Sequence, residues 1–314
     1  MARAERSLTG VALTEPVLDR RGDLRTDPGL ISRLLADPAT RVLRLVGDRA
    51  EVEDRPDGTA GVSLTAPGPD DTSHLAIYLG DSGGAAHVAV LTDPATAADD
   101  AVLAPAMRTL REVGARLDPL GGALFAGTLA LANWHRSHGH CPRCGAPTEP
   151  ASAGWTRRCP RDGSEHYPRT DVAVIMAVVD DADRLLLARN QRFRSGGMSV
   201  LAGFVEPGET LAAAVAREVH EEVGIRVDEV TYLGDQPWPF PSSLMVGFRA
   251  HALTTDLRLQ EDEIASARWF SRDELLAAVA DGSVHLPGRV SIARRLLEHW
   301  FGGQVEAPET FGLR

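Results

Sequence analysis

The chain has 314 residues, room for two or three domains that each bury a core. Hydrophobic residues make up 43% and charged residues 25%, ordinary for a soluble globular protein, and a formal net charge of −11 argues against broad, sequence-independent binding along a nucleic-acid backbone. Met1-Ala2-Arg3-Ala4-Glu5-Arg6 lacks the apolar run of a secretory signal, and the apolar stretch from Gly122 to Ala132 is too short for a bilayer. Three cysteines, two of them in a Cys-x-x-Cys, suit a metal site better than a disulfide framework, so a cytoplasmic protein with no membrane partner is expected.

Val42–Val46, His74–Leu79 and His87–Leu91 read as strands, each bounded by Gly, Pro or Asp. Pro56-Asp57-Gly58 and Pro67-Gly68-Pro69-Asp70 mark turns between them. Asp99 to Leu117 carries Val102, Leu103, Met107, Leu110 and Val113 at helical spacing and is predicted as an amphipathic helix; a second runs from Ala123 to about Arg136. Together these predict an N-terminal α/β domain over residues 1–137, in which nothing suggests chemistry.

A zinc ribbon is predicted over residues 138–168. Cys141-Pro142-Arg143-Cys144-Gly145 is a zinc knuckle, and Cys159-Pro160-Arg161-Asp162-Gly163 repeats its frame with Asp162 in place of the fourth cysteine. Asp162 would supply an oxygen ligand at that position; His166, four residues on, would supply nitrogen, and the knuckle's frame favours Asp162. Cys141, Cys144, Cys159 and Asp162 are therefore the candidate ligands of a structural Zn²⁺. Trp155, between the knuckles, is expected to pack.

The rest, residues 169–314, opens on Asp171–Val179, an apolar run that predicts a central buried strand. Asp180-Asp181-Ala182-Asp183 turns it into a partner strand, Arg184–Arg189, and the loop carrying Arg192 and Arg194 faces either phosphate or solvent. Met198–Ala202 leads into Gly203-Phe204-Val205-Glu206-Pro207-Gly208-Glu209. Thr210 to Val223 then has no helix breaker, an apolar stripe at Leu211, Ala212, Val215, Val219 and Val223, and Gly224 as a terminator. Glu218, Glu221 and Glu222 stand at i, i+3 and i+4, with Glu209 a fourth acid if the loop folds back. Divalent Mg²⁺ or Mn²⁺ relieves such crowding; the bland alternative is a solvated acidic face. Further on, three prolines in Gln236-Pro237-Trp238-Pro239-Phe240-Pro241-Ser242-Ser243-Leu244-Met245 bar helix and central strand and predict a stiff, extended segment presenting Trp238 and Phe240.

Gly203, Glu209, Arg217-Glu218-Val219, Glu221-Glu222 and Gly224-Ile225 resemble the Nudix box at every defined position, nine positions over 23 residues. The resemblance implies an α/β/α sandwich, with the box as loop–helix–loop, that hydrolyses nucleoside diphosphates linked to another moiety. Gln236 to Ser243 is similar to the Gln-Pro-Trp-Pro-Phe-Pro-x-Ser signature of NADH pyrophosphatases, the NudC-type Nudix hydrolases, with Asp235 where that family usually has Ser. The similarity covers the whole chain and is strongest from Cys141 onward.

What the resemblance implies is specific. Glu218, Glu221 and Glu222 hold the catalytic metal, joined by Glu263 from the loop before Ala267-Arg268-Trp269-Phe270, while Arg217 pairs with Glu209 and orients the box loop. Phe204 and Tyr167 sandwich the nicotinamide, Tyr167 reaching over from the other subunit of a homodimer. Ile175 and Ala293 line the pocket, and Gln236, Trp238 and Ser243 of the signature are further candidate substrate contacts. The implied reaction is hydrolysis of NAD(H) to NMN(H) and AMP, extending to NAD caps on RNA 5′ ends because adenosine can carry more at its 3′ oxygen. Arg143, Arg157, Arg158, Arg161 and Arg169 are candidate guides for that RNA. Alternatives are another nucleoside diphosphate such as ADP-ribose, or a zinc-ribbon nucleic-acid-binding module with an idle Nudix domain. An idle domain tolerates broken box positions, and none is broken.

Overall fold

A computed structural model describes residues 7–93, 104–191 and 196–307. The chain packs as two compact units: Leu13–Thr170 with Trp238–Ser242, and Met1–Ala12 with Asp171–Pro237 and Ser243–Arg314. Among the described residues no helix is long and apolar enough to cross a membrane.

In the first unit α1 (Leu30–Ala36) precedes strands β1 (Arg41–Val46), β2 (Arg49–Asp54), β3 (Ala60–Val62), β4 (Leu75–Ser82) and β5 (Ala85–Thr92). These form a sheet of order β3-β2-β1-β5-β4, with β6 (Met107–Thr109) pairing β2 and only the β1–β5 pair parallel. Alternation along the strands separates the two faces. Leu43, Leu45, Ile77 and Leu79 meet Leu124, Phe125 and Leu129 of α3 (Pro119–Ser137), which follows the short α2 (Leu110–Val113). Val42, Tyr78, Val88 and Val90 meet Leu30 of α1 on the other face.

The helix expected over Asp99–Leu117 is corrected: residues 99–103 lie outside the described residues, and of the rest only Leu110–Val113 is helical. Met107 to Thr109 instead pair with Glu51 to Arg49, and Thr109 begins the helix through a reciprocal cap with Glu112. The apolar spacing was therefore shared between a strand and a single turn of helix.

The ribbon belongs to this same unit. Its strands β7 (Glu149–Ala151), β8 (Thr156–Arg158) and β9 (Glu165–His166) form a small antiparallel sheet. Trp155 packs against the larger core, donates its indole N–H to the Tyr78 carbonyl at 2.7 Å, and carries the Arg25 guanidinium 3.6 Å above its ring.

The second unit is a three-layer sandwich. Strands β10 (Asp171–Val179), β11 (Leu185–Asn190), β12 (Leu201–Phe204), β13 (Val227–Trp238), β14 (Ser243–Ala252) and β15 (Ile264–Phe270) make a mixed sheet of order β13-β14-β10-β11-β15, with β12 antiparallel to β10. Strand β10 is buried on both faces. Val174, Met176 and Val178 meet Val215, Val219 and Val223 of α4 (Leu211–Val223), whereas Ile175, Ala177 and Val179 meet Leu275 of α5 (Arg272–Ala280) and Ile292, Ala293 and Leu296 of α6 (Ile292–Phe301).

Two short exchanges cross the division expected at residue 169. Val11, with Leu8 packed against the same cluster, lies in the core of the second unit, and Leu8 N–H donates to the Leu233 carbonyl at 2.8 Å. Conversely Trp238–Ser242 packs with the first unit. Phe240 reaches that unit's core, the Arg111 guanidinium lies 3.8 Å from its ring centroid, and Trp238 meets Phe240 edge-on at 4.9 Å.

The proline segment agrees with expectation at its start and differs at its end. Gln236, Pro237 and Trp238 belong to β13, which tolerates a proline because it is the edge strand. Ser243, Leu244 and Met245 begin β14, a central strand, since no proline follows Pro241 to block pairing.

Asn133 uses both hydrogens of its amide to hold this segment, donating to the Pro239 carbonyl at 2.9 Å and the Pro241 carbonyl at 3.0 Å. Asn133→Asp keeps the shape, removes both donors and sets a carboxylate against two carbonyl oxygens. We expect a loss of at least about 2 kcal/mol in chemical denaturation; an unchanged midpoint would show the contacts to be idle.

Candidate active site and metal centres

The box begins as β12, where Gly203 pairs with Val174 and Phe204 with Ala173. Glu206 and Glu209 close the turn, and Thr210 caps α4 by accepting from Ala213 N–H at 3.2 Å. Gly203 leaves room for the acid of Glu218 in its present position. A Cβ on it would stand 1.9 Å from the carboxyl carbon of Glu218, so the missing side chain is the space in which that acid sits.

Arg217 organises the acids. Its Nε and Nη2 grip Glu209 as a fork, both bonds 2.9 Å; Nη1 donates to Glu218 and to Glu221, each at 2.9 Å; and Nη2 also donates to the Phe204 carbonyl at 2.8 Å. All five guanidinium hydrogens are engaged. Glu209 raises the arginine's pKa, and the arginine lowers that of Glu209.

Glu222 has no such partner. It falls on the apolar face of α4 with Val215, Val219 and Val223, is 4% exposed, and its Oε2 is buried without a hydrogen bond. Burial, then the charges of Glu263, Glu218 and Glu221, raise its pKa to about 8. Burial also raises Glu218, against the pull of Arg217. Glu263 reaches this neighbourhood because Gln260 N–H donates to the Glu222 carbonyl at 3.0 Å, docking its loop on the end of α4, while the Glu263 carbonyl accepts from Gln191 N–H at 2.8 Å. Neither Gln191 nor the nearby Asn190 amide, 3.5 Å from Glu263 Oε1, carried any signal in the sequence. A hard-oxygen set with one desolvated, orphaned carboxylate oxygen fits a divalent cation. The four acids do not close into a compact cage, since Glu218 and Glu221 are held by Arg217 and Glu221 is half exposed.

The proposed substrate contacts have diverse surroundings. Phe204, at the end of β12, is 59% exposed, and Tyr167, after β9 in the other unit, is 65% exposed with its hydroxyl donating to Glu165 at 3.1 Å. Ile175 and Ala293 are buried in one core cluster. Trp238 carries Arg111 5.2 Å from its ring, and Ser243 starts β14. Gln236 requires a correction: it is wholly buried and faces the backbone rather than open space. Its Nε2 donates to the Ala12 carbonyl at 2.9 Å and the Val290 carbonyl at 2.7 Å, and its Oε1 accepts from Ile292 N–H at 2.8 Å. It latches the start of α6, a role no periodicity encodes. Arg192 and Arg194 lie outside the described residues.

In the ribbon, ligand atoms of Cys141, Cys144, Cys159 and Asp162 all lie within 4.8 Å of one another, and the three cysteines are free thiols. His166 is not among them; its Nε2 lies 3.2 Å from Ser164 Oγ. Burial opposes ionisation of Cys141 and Cys159. At Cys141 the nearby Ser164 side chain and the backbone of Arg143 and Cys144 outweigh it and lower the pKa; at Cys159 burial prevails and raises it. Three sulfurs and a carboxylate converging this closely fit Zn²⁺. Of the arginines expected to guide RNA, Arg157 is half-buried and donates to Thr148, with His135 Nδ1 3.0 Å away.

Glu222 has a testable consequence. Folded, it keeps its proton to about pH 8, whereas unfolded it releases it in the ordinary carboxylate range. The folded state therefore binds more protons between those limits, and stability falls as pH rises through that window, by an amount on the order of a few kcal/mol. Without added Mg²⁺ or Mn²⁺, the denaturation midpoint should fall from pH 5 to pH 8 in wild type and much less in Glu222→Gln. Equal slopes would remove the buried acid as the cause.

The NUDIX domain family matches residues 169–287, and the family described as the NADH pyrophosphatase zinc ribbon domain matches residues 136–167. The NAD-capped RNA hydrolase NudC of Mycobacterium bovis is 41% identical over 307 residues, covering 90% of this chain and 92% of that protein. The NAD-capped RNA hydrolase NUDT12 of Homo sapiens is 40% identical over 191 residues, 56% of this chain and 41% of its own. A solved NUDIX hydrolase from Nitrosomonas europaea aligns over 52% of this chain and 94% of its own, at 23% identity and a TM-score of 0.41. With the box intact, the ribbon in place and the likeness running through nearly the full length of both chains, this protein belongs to the NudC family of Nudix hydrolases.

Proposed function

We propose that this chain hydrolyses the pyrophosphate of NAD(H) to NMN(H) and AMP and removes NAD caps from RNA 5′ ends. The observation that carries the reaction class is the buried, orphaned oxygen of Glu222 among Glu218, Glu221 and Glu263. These four acids would hold Mg²⁺ or Mn²⁺, which would supply charge neutralisation for the two phosphates and acidify water. Arg217 keeps the acids and the box loop in register, with no hydrogen left for phosphate. The names of the relatives support the dinucleotide substrate, as does the proline-rich signature.

At the nicotinamide end, Phe204 offers an exposed ring beside the box, with Ile175 and Ala293 as the apolar floor; Trp238 and Ser243 contribute through the signature segment. Tyr167 of the partner subunit supplies the opposite ring of a homodimeric, cytoplasmic enzyme. Cys141, Cys144, Cys159 and Asp162 hold a structural Zn²⁺, and the chain divides functionally into 1–137, the ribbon at 138–168 and the hydrolase at 169–314.

Incubation with NADH and Mn²⁺ followed by chromatography should yield NMNH and AMP, and Glu222→Gln should slow this by about 100-fold or more. ADP-ribose turnover without NMNH would replace the substrate, and RNA binding without hydrolysis would replace the class. The shared site is tested by mixing Glu222→Gln with Tyr167→Ala at low NADH. Each is impaired alone, yet a heterodimer pairs one intact box with one intact tyrosine, so activity should recover; no recovery, or an active monomer, would refute the assignment of Tyr167.

A further inference from the structure

The two knuckles of the ribbon have the same backbone pattern. Cys141 N–H donates to the Ala146 carbonyl at 2.8 Å and accepts, through its own carbonyl, from Gly145 N–H at 2.9 Å. Cys159 N–H donates to the Ser164 carbonyl at 2.8 Å and its carbonyl accepts from Gly163 N–H at 2.9 Å. This pairs Cys144 with Asp162, Gly145 with Gly163, and Ala146 with Ser164. Where the first knuckle reads Cys-Gly-Ala, the second reads Asp-Gly-Ser, so two chemical changes occur together.

The second change serves the first. A thiolate offers a metal one atom, but a carboxylate offers two and turns about its terminal bond. Asp162 lies on an exposed edge, where a loose carboxylate would swing to water or chelate through both oxygens. Ser164 holds one oxygen: its N–H donates to Asp162 Oδ1 at 2.9 Å and its hydroxyl to the same atom at 2.5 Å. Oδ2 is left facing the sulfurs, 3.6 Å from Cys141 Sγ. The serine hydroxyl has one hydrogen, and the short contact with Asp162 takes it, so its oxygen is left to accept in the contacts at 3.2 Å with His166 Nε2 and at 3.6 Å with Cys141 Sγ. His166 thereby fixes the hydroxyl's rotation.

We propose that Ser164 is a positioning residue for a zinc site of three sulfurs and one oxygen: it pins Asp162 so that a single carboxylate oxygen completes the tetrahedron, with His166 steadying the serine. This presupposes that the ribbon holds zinc. Such outer-sphere hydrogen bonds to a metal ligand typically change metal affinity 10- to 100-fold. In a Cys₄ version of the same knuckle Ser164 would have no carboxylate to hold, and its hydroxyl would keep only the 3.6 Å contact with Cys141 Sγ.

That asymmetry defines the test, made on the full chain. Zinc release to an excess of a chromophoric chelator is followed for wild type, Ser164→Ala, Ser164→Thr, Asp162→Cys and the Asp162→Cys, Ser164→Ala double variant. Ser164→Ala should release zinc about tenfold faster than wild type, Ser164→Thr should restore the slow release, and in the Asp162→Cys background Ser164→Ala should change nothing. Electronic spectra of the Co²⁺-substituted proteins report the donor set, and Asp162→Cys should shift the bands towards those of four sulfurs. Equal acceleration in both backgrounds would mean that Ser164 acts through the knuckle's fold or through Cys141 and not through Asp162, which overturns the proposal. A Co²⁺ spectrum unaltered in Asp162→Cys would overturn it by removing Asp162 from the metal. Wild-type protein that carries no zinc would instead sink the zinc assignment itself, a distinguishable result.

Discussion

Four carboxylates brought within a few side-chain lengths of one another repel, and the hydrolase unit is built around keeping them there. Arg217 is the counterweight: one guanidinium, with every hydrogen engaged, ties Glu209, Glu218 and Glu221 to the backbone of the box loop. Gly203 leaves the volume that Glu218 occupies. The arginine does not reach Glu222, which is left buried, orphaned and reluctant to ionise. The unrelieved part of the repulsion thus sits at one oxygen, the place where a divalent cation has most to offer.

The scaffold around this cluster makes no concession to it. Alternate residues of β10 serve opposite faces, so the strand carries the box helix on one side and α5 and α6 on the other. Gln236 binds the start of α6 to the edge strand and to the N-terminal segment through three backbone groups. The signature glutamine is thereby a structural latch, while the signature's aromatic half is packed against Arg111 and held by Asn133 in the other unit. A single short motif performs two different packing tasks.

The ribbon illustrates how a ligand substitution is accommodated. A carboxylate in place of a thiolate differs in the number of donor atoms and their freedom, and here Ser164 hydrogen-bonds one oxygen of Asp162 while His166 contacts the serine. In the same unit Arg157 donates to Thr148 and Trp155 to the Tyr78 carbonyl, tying the ribbon's middle strand to its neighbours.

Much was legible in the residues alone, because some constraints act over one or two turns of chain. Helical spacing placed Glu218, Glu221 and Glu222 together, Gly224 ended the helix, the apolar run at Asp171–Val179 announced a central strand, and the knuckle frame put Asp162 beside three sulfurs. Other features depended on partners far away in sequence. Among the described residues of the expected 99–117 helix, Met107–Thr109 instead found a strand at Arg49–Glu51, and apolar spacing carries no record of such pairing. Gln236 turned inward because three backbone groups from distant segments needed its amide, and Asn133 acquired its task from carbonyls more than 100 residues away. Local sequence determines which chemistry is present, since caps, turns and side-chain spacing are short-range; tertiary packing alone decides which polar groups are desolvated, and hence which acid is left waiting for a cation.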